Sequence, residues 1–231
     1  MDDELRITNH ESPSPNPQSL RYRITFATRR TLAYVSVLEL GKIWERSLRR
    51  AGMPLKYSQG YNPRPKLHFA APLPVGCGSE ADLMDVWFET PVDPEMMLAA
   101  LKDTVPADLY VVDVQVVPED DAALSEQLIG AEYRVWLRDV PQHIVESAII
   151  DFLESPSLLL PKRGRKHRGK TYDLRPLVEV LHLEDVPAPW TGLWMRLHAR
   201  PGATGRPDEV LKALNLTDAP RRCTRTRLIL E

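Results

Sequence analysis

Read by its hydrophobic periods, the chain runs strand, helix, strand, strand, helix, strand and then repeats that order, which narrows its possible folds more than any motif does. Tyr22, Ile24, Phe26 and Thr28 alternate with Arg21, Arg23, Thr25 and Ala27, the period of a half-buried strand. Ser36 and Glu39 have capping-box spacing, and Val37, Leu40, Trp44, Leu48 and Ala51 recur at helical spacing until Gly52 and Pro54 stop the helix. Strands are predicted at Leu67 to Ala71 and Leu83 to Glu89. A helix opened by Asp93-Pro94-Glu95 then runs towards Leu101, and a valine-rich strand spans Leu109 to Val117.

After the acidic run Pro118-Glu119-Asp120-Asp121 the order recurs. A strand at Tyr133 to Leu137 leads into a helix with Ile144, Ala148, Ile149 and Phe152 on one side. Strands near Leu174 to Leu183 and at Thr191 to Arg200, a helix opened by Pro207-Asp208-Glu209 and a last strand at Cys223 to Leu230 complete it. The pattern predicts an α+β chain of two tandem ferredoxin-like (βαββαβ) units, each an antiparallel sheet with two helices on one face. Residues 1–20, with Ser12-Pro13-Ser14-Pro15-Asn16-Pro17, are expected to be a disordered lead. The first unit is expected over 21–118, a linker over 119–130 and the second unit over 131–231. At 231 residues and 43% hydrophobic composition the chain can build such cores.

A net charge of -2 conceals an uneven distribution. From Arg21 to Lys66 there are eleven Lys or Arg against Glu39 and Glu45, and from Ser79 to Glu126 thirteen Asp or Glu against Lys102. Lys162 to Lys170 is basic again, and Arg221, Arg222, Arg225 and Arg227 close the chain. The run from Arg49 through Gly60 and Pro65 to Gly76 places cations, tyrosines and prolines in one loop between a helix and a strand. Proline stiffness presents such groups outward at low entropic cost, so the run fits a polyanion better than a core. Arg46, Arg49, Arg50, Lys56, Arg64 and Lys66 are the candidates to hold a phosphate backbone and Tyr57 and Tyr61 to stack on unpaired bases, with Gln59 a further nucleic-acid-binding candidate in the same loop. Lys162, Arg163, Arg165, Lys166, Arg168 and Lys170 form a second candidate stretch, expected to order on a polyanion. Packing of the acidic against the basic blocks is the competing reading of the same charges.

The residues specify no chemistry. His10, His68, His143, His167, His182 and His198 are scattered, with no HExxH and no metal-ligand spacing, and no phosphate-binding glycine motif occurs, so neither a metal nor a cofactor is expected. His68 is the candidate general acid or base, because alternation sets it beside Lys66 on the face opposite Leu67 and Phe69. Cys77 and Cys223 are read as two unrelated small residues, too few for a disulfide framework or an iron-sulfur cluster. Apolar runs are too short to cross a bilayer and no signal-peptide pattern opens the chain, so the cytoplasm is expected.

Trp44-Glu45-Arg46-Ser47-Leu48-Arg49-Arg50-Ala51-Gly52, then Tyr57-Ser58-Gln59-Gly60-Tyr61-Asn62-Pro63-Arg64-Pro65-Lys66, then Pro72-Leu73-Pro74-Val75-Gly76 and Ser79-Glu80, resemble a radical-SAM-associated domain of unknown function, the bacterial radical SAM-linked protein family. Lys170, Asp173-Leu174-Arg175, Arg206-Pro207 and Arg225-Thr226-Arg227 are similar to later landmarks of that family. The resemblance breaks at Ser36-Val37-Leu38-Glu39, where the family usually reads Ser-His-Leu-Asp, so a role resting on that histidine lacks its residue here. It implies a domain encoded beside, or fused to, a cobalamin-dependent type of radical SAM enzyme with its own iron-sulfur cluster. Tandem ferredoxin-like units with a basic glycine-bearing loop also resemble, at the level of fold, the endonucleases that process CRISPR RNA. Three functions follow as expectations: a non-catalytic domain that presents tRNA or ribosomal RNA to a separate radical SAM enzyme, a protein-interaction module docking on that enzyme through the acidic segment Glu80 to Glu126, and a metal-independent ribonuclease.

Overall fold

The alternation that begins at Arg21 becomes β1 (Arg21–Thr28), with Tyr22, Ile24 and Phe26 buried. After a 3-10 turn over Arg30–Tyr34, α1 (Val37–Arg50) opens on its capping box. Ser36 Oγ accepts the Glu39 N–H, and the Glu39 carboxylate accepts the Ser36 N–H at 2.9 Å. Leu40, Trp44 and Leu48 turn inward, and Gly52 at φ 70° ends the helix in the left-handed region that side chains resist. β2 (Leu67–Phe69), β3 (Cys77–Trp87), α2 (Pro94–Thr104) and β4 (Leu109–Val117) complete the first half. The computed structural model describes residues 20–162, 169–200 and 202–231. Nearly all of the expected lead over 1–20, and the candidates Arg163, Arg165, Lys166 and Arg168, lie outside the described residues.

The second half begins with a short α3 (Leu124–Gln127), unmarked by any period, and β5 (Leu128–Arg138), so Leu128 to Gly130 are strand where linker was expected. α4 (Gln142–Glu154) buries Val145, Ile149 and Phe152, while Ile144 is 48% exposed, one position off the inward stripe. β6 (Leu159–Pro161) and β7 (Thr171–Asp173) pair at the base of the basic segment. β8 (Val178–Glu184) starts later than expected, because Leu174 to Leu177 form a tight turn in which Pro176 has no N–H for a ladder. β9 (Trp190–Arg200), β10 (Ala203–Thr204), α5 (Pro207–Ala213) and β11 (Arg221–Leu230) follow.

Nine of the strands form one sheet in the order β10-β9-β5-β11-β3-β1-β4, with β2 also on β3 and β8 also on β9, and β6 and β7 pair apart from it. The order β4-β1-β3-β2 in the first half and β11-β5-β9-β8 in the second is antiparallel throughout. The halves meet where β11 pairs with the start of β3 in parallel, Cys223 with Cys77, Thr224 with Gly78 and Arg225 with Ser79. Cys77 and Cys223, expected to be unrelated, are joined by a disulfide at this junction across a sequence separation of 146. A residue spacing that long carries no sign of pairing, since only the register brings the two together. α1 and α2 cover a core of Ile24, Phe26, Met84 and Val86, and α4 and α5 one of Tyr133, Val135, Met195 and Leu197. Both helix layers lie on the same side of the sheet, because Arg225, paired beside Tyr133, reaches Asp82, paired beside Phe26.

Candidate nucleic-acid interface

The loop predicted to bind phosphate is a hairpin arm at the far end of the first half. The Ser58 N–H donates to the Arg64 carbonyl and the Lys66 N–H to the Lys56 carbonyl, both at 2.8 Å, and the Lys56 N–H reaches the Trp87 carbonyl at 2.9 Å. Tyr61 at the tip is 100% exposed, beside Gly60 at φ 147°. Gln59, Arg46, Arg50 and Arg64 are also exposed. Tyr57 is already engaged: its hydroxyl accepts from Arg49 Nε at 3.0 Å and Nη2 at 2.9 Å, and Glu45 pairs with Arg49 at 2.9 Å. Tyr57 therefore orients Arg49, whereas Tyr61 is the ring left open for stacking. Lys66 lies over the Trp87 ring at 4.2 Å.

Part of the basic block is internal. Arg21, 3% exposed, donates to Asp85 Oδ2 through Nε at 2.9 Å, and Arg23 to Asp85 Oδ1 at 2.8 Å. Arg21 also donates to the carbonyls of Asp121 and Ala122, at 2.8 and 3.0 Å, so the connector between the halves lies across this face of the sheet. Arg225, 1% exposed, pairs with Asp82 at 2.7 Å and donates to the carbonyls of Ala71 at 3.1 Å and Pro72 at 3.3 Å. Burial opposes its charge, but Asp82 and Tyr133 outweigh that and raise its pKa. The inward-facing Asp82 and Ser79, the latter bonded to Thr28, also hide the apolar period of β3, which is why its first six residues were not predicted as strand.

A different set of arginines gathers at the junction. The turn after β1 carries Arg29 and Arg30, the start of β11 carries Arg221 and Arg222, and together with Tyr34, Gly76 and Glu80 they line a cavity of about 660 Å³. None of the four arginines makes an ion pair among the described residues. Arg29 lies over Tyr110 at 4.8 Å and Arg222 over Trp190 at 4.6 Å, while Arg221 donates to the Thr217 carbonyl at 2.8 Å. Arg30 has φ 45°, a strained value for a side chain, and Asp108 braces that turn. Asp108 accepts from the Thr31 hydroxyl at 2.5 Å and N–H at 3.2 Å. These bonds, the hydroxyl first, with burial opposing and Arg30 assisting, hold the Asp108 carboxyl below its ordinary range. Tyr34, 71% exposed, stands in the groove as an open ring.

The groove continues both ways. Towards the helix side it passes Pro74, Val75 and Arg206, and a further cavity beyond Arg206 reaches Lys162. Lys162 and Lys170 are exposed and close the hairpin base, with the Lys162 N–H on the Lys170 carbonyl at 2.8 Å. On the opposite side Arg222 and Thr224 lead to Trp136 and Arg134. Gly78 forms part of the groove floor, and an added Cβ there would come within 2.9 Å of the Thr28 carbonyl oxygen. Thus Arg29, Arg30, Arg221 and Arg222 share one groove, and neighbouring cavities lead from it past Arg206 to Lys162 at the base of the 162–170 segment. The 46–66 arm stands apart, at the other end of β3, roughly 30 Å away along the strand. Sequence reading noted Arg221 and Arg222 only as a charge run and did not single out Arg29, Arg30 or Tyr34. A tyrosine four residues after an Arg-Arg pair, Tyr34 after Arg29-Arg30, was the signal available.

His68 sits edge-on to Trp87, ring centroids 5.0 Å apart. Burial first, then the Lys66 charge, lowers its pKa, with Asp85 opposing. Trp87, 8% exposed, is a packing residue between Arg21, Lys66 and His68. Among the described residues no set of three His, Cys, Asp or Glu is placed to hold a metal, and no helix is long and apolar enough to cross a membrane.

Residues 21–207 match the model of a family described as an uncharacterized protein conserved in bacteria (DUF2344). The chain belongs to that family. No curated protein matches it. Among solved structures it is similar to a chain of a Cbf5-Nop10-Gar1 complex, at 10% identity and a TM-score of 0.48, over 91% of this chain and 49% of that one. It is also similar to a chain of the archaeal box H/ACA sRNP Nop10-Cbf5 complex, at 10% identity and a TM-score of 0.46, again over 91% and 49%. The chain thus spans about half the length of these solved chains.

Proposed function

We propose that this family member is a non-catalytic RNA-binding domain of the cytoplasm, built from two tandem ferredoxin-like units, that holds tRNA or ribosomal RNA for a separate radical SAM enzyme. The observation that carries the RNA reading is the junction groove, where four arginines from opposite ends of the described chain surround the open ring of Tyr34 and make no ion pair among the described residues. Cations left unpaired in a concave surface focus a positive potential, and phosphates are the groups that complete them. The strand order β4-β1-β3-β2, matched by β11-β5-β9-β8, supports the two-unit reading. The radical SAM partner rests on the resemblance of the loop and its flanking segments. In this reading the 46–66 arm and Lys162 with Lys170 are outlying phosphate contacts of a long ligand.

The alternatives have less support. Asp82 and Asp85, within the acidic segment that would dock a protein partner, are buried against Arg225, Arg21 and Arg23. His68 lacks a hydrogen-bonded partner to orient it among the described residues, which a general acid or base of a ribonuclease needs. The deciding experiment is binding of fluorescent tRNA and ribosomal RNA fragments across a salt series, to wild type, to Arg221→Glu with Arg222→Glu, and to Arg49→Glu with Arg64→Glu. Wild type is expected to bind with a steep salt slope, the groove variant to lose most affinity and the arm variant to lose less. Absence of salt-dependent binding by wild type overturns the proposal.

A further inference from the structure

The groove opens onto the side of the second-half sheet that carries no helix, and that surface has its own composition. Register sets Trp136 on β5 opposite Gly192 on β9 and Arg222 on β11, and sets Trp194 between His182 and Arg134. Trp136 lies 6.3 Å from Trp190, centroid to centroid, and His182 stacks on Trp194 at 5.1 Å. Gly192 leaves the position beside Trp136 without a side chain, and none fits there, because an added Cβ would come within 2.7 Å of the Glu184 carbonyl oxygen. All three tryptophans are partly exposed.

Two arginines at the middle of this face are already paired, while Arg222 beside Trp136 belongs to the groove. Arg134 pairs with Glu184 at 2.7 Å and Glu80 at 3.5 Å, and Arg196 pairs with Glu132 at 2.8 Å. Arginines already paired with carboxylates attract phosphate little, whereas every base has a π-face that stacks on exposed rings. The adjoining groove has the opposite character, its four arginines making no ion pair among the described residues. The two surfaces therefore divide a nucleotide between them, phosphate to the groove and base to the tryptophans.

Resting on the RNA reading above, we infer that the ligand is single-stranded RNA, its backbone in the junction groove and its unpaired bases stacked on the open face centred on Trp136. A duplex keeps its bases stacked on each other and makes no use of Trp136. The test is fluorescence anisotropy with a labelled oligoribonucleotide of about a dozen unpaired nucleotides, alone and annealed to its complement. Proteins compared are wild type, Trp136→Ala, Trp136→Phe, and Arg221→Glu with Arg222→Glu. The single strand is expected to bind wild type more tightly than the duplex. Trp136→Ala is expected to weaken single-strand binding roughly 5- to 150-fold, the range for loss of one base-aromatic stack, and to leave duplex binding unchanged. Trp136→Phe keeps a ring and is expected to restore most of the loss, which separates stacking from misfolding. The arginine variant is expected to weaken both. Equal binding of single strand and duplex, or equal affinity of wild type and Trp136→Ala for the single strand, overturns this inference while the RNA reading stands. No binding of either RNA by wild type overturns both.

Discussion

The two halves pair four strands in the same order and place their helices on the same side, yet they leave the other side of the sheet in different states. In the first half Arg21 and Arg23 converge on Asp85, which is 0% exposed, and the connector carbonyls of Asp121 and Ala122 accept from Arg21. In the second half Arg134 and Arg196 form comparable pairs with Glu184 and Glu132 but remain 34% and 38% exposed. The chemistry of the pairs is the same and the dielectric around them is not. A buried pair must be complete, because a lone charge there has no water to solvate it. A partly exposed pair adds little stability, so the second face gains little from its arginine pairs.

That comparison breaks most directly at Asp85. Asp85→Ala leaves Arg21 buried and unpaired and is expected to cost about 3 to 5 kcal/mol in urea unfolding. Glu184→Ala, the counterpart on the open face, is expected to cost less than about 1 kcal/mol. Equal costs would mean that the two faces are alike after all. Next in size is the junction itself. Cys223→Ser opens a disulfide between Cys77 and Cys223, 146 positions apart, and is expected to cost about 2 to 4 kcal/mol relative to oxidised wild type, a difference that should vanish when both proteins are compared under reducing conditions. Smaller again is the cap of α1, where Ser36→Ala is expected to cost about 1 kcal/mol and to leave RNA binding at the junction unchanged.

Elements whose signals are local were legible. β1 followed from alternation, and α1 from its capping box, inward stripe and glycine stop. β3 was half legible, because its inward positions at Ser79 and Asp82 are polar and find partners in Thr28 and Arg225. No window contains Arg225 and Asp82 together, so alternation reads the segment as loop. The arm at 46–66 was recognised as a projecting basic loop, and Tyr61 is fully exposed there. Tyr57 was not recognised as a support for Arg49, since that contact needs the helix end and the arm to meet. The groove was out of reach for the same reason. Arg29-Arg30 and Arg221-Arg222 are ordinary charge pairs until β11 pairs with β3, and that parallel register is specified by contacts across the whole chain.

The smallest expected effect tests how well the first face is covered. His68 packs on Trp87 beside Lys66, and burial and that charge lower its pKa, so the folded state favours the neutral ring. Above the ordinary histidine value the ring is neutral folded or unfolded, and its contribution to stability is fully present. As pH falls through that value the unfolded chain takes up a proton that the folded one does not, so stability is lost until the pH lies below the folded pKa. The midpoint of thermal unfolding of wild type, relative to His68→Gln, is therefore expected to drop modestly on going from about pH 7 to about pH 5. The drop is modest because His68 is covered on its Trp87 side only and water screens the rest. A proton-detected titration of His68 should move below the ordinary value. If it moves above, Asp85 dominates the site, which requires the carboxylate to be less fully committed to Arg21 and Arg23 than its burial indicates, and the contrast between the two faces narrows.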